Sequence, residues 1–133
     1  MIDFNKYTKF VNAVTSEESK YGGHFQDRLR DLYSKDFQTH RVLTAALGLS
    51  AESGEFTEIV KKMVFQGKPW NAANKHHLIT ELGDIMWYVA NACMALEISF
   101  DDVISTNVKK LEKRYPGGSF DVHYSENRQE GDL

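Results

Sequence analysis

The sequence predicts an all-α fold, and three observations lead there. Two stretches, His40 to Phe65 and Asn74 to Glu97, hold no proline and repeat apolar residues at helical spacing. A third, from Ser99 to Tyr115, does the same, and no stretch keeps the alternation of a half-buried strand. Both prolines, Pro69 and Pro116, fall just outside these stretches, where they break no helix.

From the amino terminus, Asp3 is placed to cap a first helix whose Phe4, Tyr7, Phe10, Val11 and Val14 recur at steps of three and four, ending near Thr15-Ser16. Gly22-Gly23 then reads as an interruption. After it, His24 to Lys35 is charged, with Phe25, Leu29 and Leu32 on one narrow face, and reads as a short helix or an ordered loop. In the first long helix Val42, Leu43, Ala46, Leu49, Phe56, Ile59, Val60 and Met63 keep the period, and Gln66-Gly67-Lys68-Pro69 stops it. In the second, Leu78, Leu82, Ile85, Val89, Ala92 and Leu96 do so. Ser99, with Asp102 three residues on, forms a capping box with Asp in place of Glu, opening a helix whose buried stripe is Val103, Ile104, Val108, Leu111 and Tyr115. Pro116-Gly117-Gly118 closes it. The segment 121–133 is polar and reads as an extended arm or frayed tail.

Composition narrows the function. A chain of 133 residues, 41% hydrophobic and 26% charged, has room for one domain with a modest core. A net charge of -3 offers no basic field for wrapping nucleic acid, so any phosphate chemistry must come from a local cationic cluster or a bound metal. Cys93 stands alone, which excludes an internal disulfide and fits a reducing cytoplasm. It reads as a small buried hydrophobe without chemistry. No run approaches the roughly 20 apolar residues that span a bilayer, and Met1-Ile2-Asp3-Phe4 does not open a signal peptide. No membrane partner is expected.

Acidic residues in the two long helices carry the chemical signal. Glu52 and Glu55 lie three apart, and so share one helix face; Glu81 and Asp84 repeat the spacing. If the two helices are antiparallel neighbours, four negative groups converge, which is costly unless a cation lies between them. An all-oxygen donor set favours magnesium, with manganese as a substitute, because no histidine or cysteine falls at ligand spacing beside either pair. Glu81 and Asp84 also sit among Leu78, Ile79, Leu82, Ile85, Met86, Trp87 and Val89, on a helix with little polar surface, so their face is not expected to be open solvent. A solvated face remains the bland alternative for any one pair.

Complementary charge lies on the third helix, where Asn107, Lys110 and Arg114 follow one another at steps of three and four and share a stripe. Lys62, seven residues after Glu55, returns to the acidic face. Tyr88, seven after Glu81, extends that face on the second helix.

The blocks Gly48-Leu49-Ser50-Ala51-Glu52-Ser53-Gly54-Glu55 and Glu81-Leu82-Gly83-Asp84-Ile85-Met86-Trp87-Tyr88 resemble the MazG-like all-α pyrophosphohydrolases, whose signature is Glu-x-x-Glu followed after a spacer by Glu-x-x-Asp. A third block, from Asn107 through Lys110-Leu111 and Arg114-Tyr115-Pro116 to Phe120, is similar to the family's closing segment. The likeness runs from about Leu43 to Phe120. Ala51 stands where many members carry a further acidic residue.

The resemblance implies a MazG-like helical bundle, residues 1–120, followed by the polar tail 121–133. It implies hydrolysis of a nucleoside or deoxynucleoside triphosphate to the monophosphate and pyrophosphate, by magnesium-activated water attacking the alpha phosphorus. Glu52, Glu55, Glu81 and Asp84 would be the metal ligands and catalytic carboxylates. Lys62, Lys110 and Arg114 would meet phosphate oxygens, while Tyr88, Asn107 and Tyr115 would contact the rest of the nucleotide. Three principal helices leave one side of a four-helix arrangement unfilled, so a homodimer or homotetramer is expected to complete the core. Two rivals stand beside this reading: a metal-free helical interaction module, and a di-iron carboxylate bundle, which calls for Glu-x-x-His where this chain has none.

Overall fold

A computed structural model describes residues 1–128. Seven helices follow in order: α1 (Phe4–Val14), α2 (Glu17–Lys20), α3 (Gly22–Ser34), α4 (Thr39–Phe65), α5 (Ala72–Leu96), α6 (Phe100–Arg114) and α7 (Val122–Glu126), with no strand among the described residues.

The helix starts follow the sequence's capping chemistry. Asp3 accepts from the Lys6 amide at 3.1 Å. Asn71 accepts from Asn74 at 2.9 Å. At α6 the box is reciprocal, since the Asp102 amide donates to Ser99 Oγ at 3.1 Å and the Ser99 amide donates to Asp102 Oδ2 at 2.9 Å. Two helices end alike: Asp36 (φ 63°) and Glu97 (φ 54°) turn left-handed, letting Phe37 N–H reach Leu32 O and Ile98 N–H reach Cys93 O, both at 3.1 Å.

The amino-terminal third departs from expectation. Gly22-Gly23 does not interrupt the chain but forms the first turn of α3. First-turn amides have no partner within the helix in any case, and a Cβ at either glycine would meet nothing within 4 Å. The single turn α2 went unseen in the sequence because four residues are too few to show a period. At the other end, Asp121 caps α7, its side chain accepting from the His123 amide at 2.8 Å, so the tail begins with a helical turn rather than an extended arm. The tail's last five positions, 129–133, lie outside the described residues.

The most extensive helix pair is α4 with α5, an antiparallel hairpin around Gln66–Asn71; smaller contacts join α2 to α3 and α3 to α4. On α4, low exposure recurs at Val42, Ala45, Leu49, Glu52, Phe56, Ile59 and Met63, and on α5 at Asn74, Leu78, Glu81, Ile85, Tyr88, Ala92 and Ala95. Both series alternate steps of three and four, the repeat of a coiled-coil seam. The buried apolar core, Ala45, Ile59, Cys93 and Ala95, lies wholly on these two helices. Leu43 (47% exposed) and Ala46, expected inside, face outward because the seam is narrower than the apolar arc of α4. On α6 the expected buried stripe is also open within one chain: Ile104, Val108 and Leu111 are all exposed.

Candidate metal centre

Seam positions set the site. Glu52 on α4 and Glu81 on α5 both occupy the inward-facing repeat, so packing the hairpin drives the two carboxylates together. Glu55, one turn beyond Glu52, stands at the edge. Glu52, Glu55 and Glu81 each bring one carboxylate oxygen within 4.8 Å of the other two. Glu81 is 4% exposed and is the one buried charged residue among those described.

The electrostatics carry the mark of crowding. Burial, and then the negative charges of Glu55, Asp84 and Glu81, hold the Glu52 carboxyl above its ordinary value; its hydrogen bond with Glu81 acts in the same direction. Asp84 lies outside the tight trio and is exposed, yet close enough for its charge to act on Glu52. Three close carboxylate oxygens on rigid helices could hold a divalent cation, and the all-oxygen set fits a hard one.

The remaining expected residues are placed less uniformly. Tyr88 lies against α4: a Cβ built on Gly48 would fall 2.1 Å from Tyr88 Cε1, so only glycine permits the ring to cross the helix there. Trp87 meets Tyr88 edge-on at 4.8 Å between centroids. Lys62 Nζ sits 3.3 Å from Glu58 Oε1, and Lys61 Nζ 2.5 Å from Glu58 Oε2, holding the Glu58 carboxyl below its ordinary value through hydrogen bonds. Lys62 is thus paired along α4 itself. On α6, Asn107 is exposed while Lys110 and Arg114 are half-buried and engaged. Tyr115 lies half-buried at the end of α6, its ring 5.8 Å from that of Phe120. Cys93 is buried in the hairpin core.

One neighbour went unread in the sequence. His77 Nε2 lies 3.0 Å from Glu81 Oε1, one turn earlier on α5. Its signal was the four-residue spacing from His77 to Glu81, which brings an imidazole beside one acidic pair where no histidine was expected.

The chain matches a Mycobacterium phage L5 protein named "Gene 37 protein", 36% identical over 74 residues, which cover 54% of this chain and 64% of that relative. No solved structure matches. The family model of the MazG nucleotide pyrophosphohydrolase domain matches residues 38–119, which takes in α4, α5, α6 and all four motif carboxylates. With more than half its length so matched, and its acidic residues drawn together on an all-helical hairpin, the chain belongs to the MazG nucleotide pyrophosphohydrolase family.

Proposed function

We propose that this protein hydrolyses a nucleoside or deoxynucleoside triphosphate to its monophosphate and pyrophosphate, with magnesium, or manganese in its place, held by Glu52, Glu55 and Glu81 and supported by Asp84. The observation that carries this reading is the convergence of the three glutamate oxygens within 4.8 Å, one of them from a buried side chain. When bound, the ion supplies neutralising charge to phosphate oxygens and lowers the pKa of the water that attacks the alpha phosphorus.

The chain's own groups do the rest. Glu52 and Glu81, fixed by the seam, give up their crowding when a cation arrives, so binding relieves a strain built into the fold. Lys110 and Arg114, with Lys62 released from Glu58, meet the oxygens of the departing beta and gamma phosphates; the planar guanidinium suits two of them at once. Asn107 and Tyr115 orient sugar or phosphate, and Tyr88, packed against Gly48 one turn before Glu52, borders the nucleotide. Residues 1–120 form the catalytic domain on this reading, and a reducing cytoplasm suits its single buried thiol.

Assembly completes the site's surroundings. The single chain exposes 10713 Å², whereas a compact monomer of 15.2 kDa exposes about 7,100 Å². Phe4, Tyr7 and Phe10 on α1 and Ile104 and Val108 on α6 lie open in that excess. A second copy, in a homodimer or a homotetramer, is the occupant that needs no other partner.

Ion-exchange chromatography of the products of a panel of nucleoside triphosphates, with and without magnesium, tests the reading. It expects monophosphate and pyrophosphate in equal amounts, only with the metal. Release of orthophosphate, or no turnover of any triphosphate, overturns it.

A further inference from the structure

Glu81 is buried at 4% exposure and has two different kinds of neighbour: the Glu52 and Glu55 oxygens and, at 3.0 Å from its Oε1, the Nε2 of His77. A carboxylate in that position has two oxygens to satisfy, and one of them is already occupied by an imidazole from its own helix. The His77 side chain is 52% exposed, so it adds little to the core, while Glu81 is enclosed. Both residues sit on α5 one turn apart, and the helix therefore fixes their distance whatever α4 does.

We propose that His77 is the positioning residue for Glu81: it holds Oε1 and so turns Oε2 toward the cation shared with Glu52 and Glu55. The proposal rests on the metal-centre reading above and adds a residue outside the acidic motifs. Groups that orient a metal ligand commonly change metal affinity ten- to a hundredfold when removed. The His77 side chain is half exposed, so its removal is expected to leave the fold in place.

The test is manganese binding in the absence of nucleotide, followed by electron paramagnetic resonance, in wild type, His77→Ala, His77→Gln and Glu81→Gln. Glutamine keeps a nitrogen donor within reach of the carboxylate four residues on. The expected result is a dissociation constant raised about tenfold in His77→Ala, substantially restored in His77→Gln, and raised further in Glu81→Gln. Magnesium activation should follow suit, with the half-saturating concentration rising in His77→Ala while kcat at saturating magnesium stays within a few-fold of wild type. Unchanged manganese affinity in His77→Ala, alongside a loss in Glu81→Gln, overturns the role of His77 and leaves the metal centre standing. A raised nucleotide KM with unchanged manganese affinity also overturns it, because His77 would then touch substrate instead. Failure of the wild type to bind manganese defeats both readings together.

Discussion

Glu52 and Glu81 are one-turn partners of Glu55 and Asp84, but they are distinguished from them by lying on the inward seam. Removing one charge from the trio should therefore be severe. Glu81→Gln is expected to lower kcat by about a hundredfold or more, the several kcal/mol that a bound cation contributes to the transition state. Arg114→Ala should instead lower kcat/KM by roughly ten- to a hundredfold, the loss of a charged hydrogen bond to phosphate. Steady-state kinetics at saturating magnesium separate the two. The raised Glu52 carboxyl gives a pH dependence with a definite sign. It binds its proton more tightly folded than unfolded, so its own contribution to the stability of the metal-free protein is lost as pH rises above the ordinary glutamate value of 4.5, and comparison with Glu52→Gln separates that loss from lowered carboxyls such as Glu58, which act the other way. Thermal melts of the two proteins across this range, without metal, check it; parallel curves would deny the crowding. The closeness of Glu52, Glu55 and Glu81 was readable in the sequence from their spacing, while Asp84, expected with them, lies outside the trio. The contact of His77 with Glu81 was not readable there, because it gains meaning only from Glu81 being buried, which spacing alone does not reveal.

The α4–α5 hairpin owes its tightness to small residues. Ala45 and Gly48 on one helix and Ala92 and Ala95 on the other let the backbones approach, and Tyr88 fills the space that Gly48 leaves open on α4. Gly48→Ala should cost about 1–3 kcal/mol by overpacking against the ring, and Gly48→Ala combined with Tyr88→Leu should recover much of it. Denaturant unfolding of the single and double variants measures both, and a fully stable single variant would mean the ring does not lie there. The long helices were predictable because their repeats run for many turns and their caps are explicit, as at Ser99-Asp102. The choice of buried face was less so. Leu43 and Ala46 have the right period for the core yet point away from α5, since periodicity marks an apolar arc and only the partner helix selects the part that is covered. Similarly, Gly22-Gly23 signals a break in isolation but costs little in the first turn of α3.

With four apolar residues buried among those described and 10713 Å² exposed, much apolar surface stays open on the single chain. The excess of roughly 3,600 Å² over a compact monomer exceeds the ~800 Å² that each partner contributes to an ordinary interface, enough for more than one neighbour. Sedimentation equilibrium should return a multiple of 15.2 kDa, and a monomer at working concentration would remove the proposed cover for α1 and α6. The sequence stated the core of α4 and α5 better than the setting of α6, whose Ile104, Val108 and Leu111 stay exposed on the single chain. The proposed chemistry depends above all on divalent metal lying between α4 and α5, and anomalous diffraction from crystals grown with manganese reads its position directly. Density bonded to Glu52, Glu55 and Glu81 together is the expected result. Manganese bound only elsewhere, or the three glutamates separated with no metal between them, would contradict it.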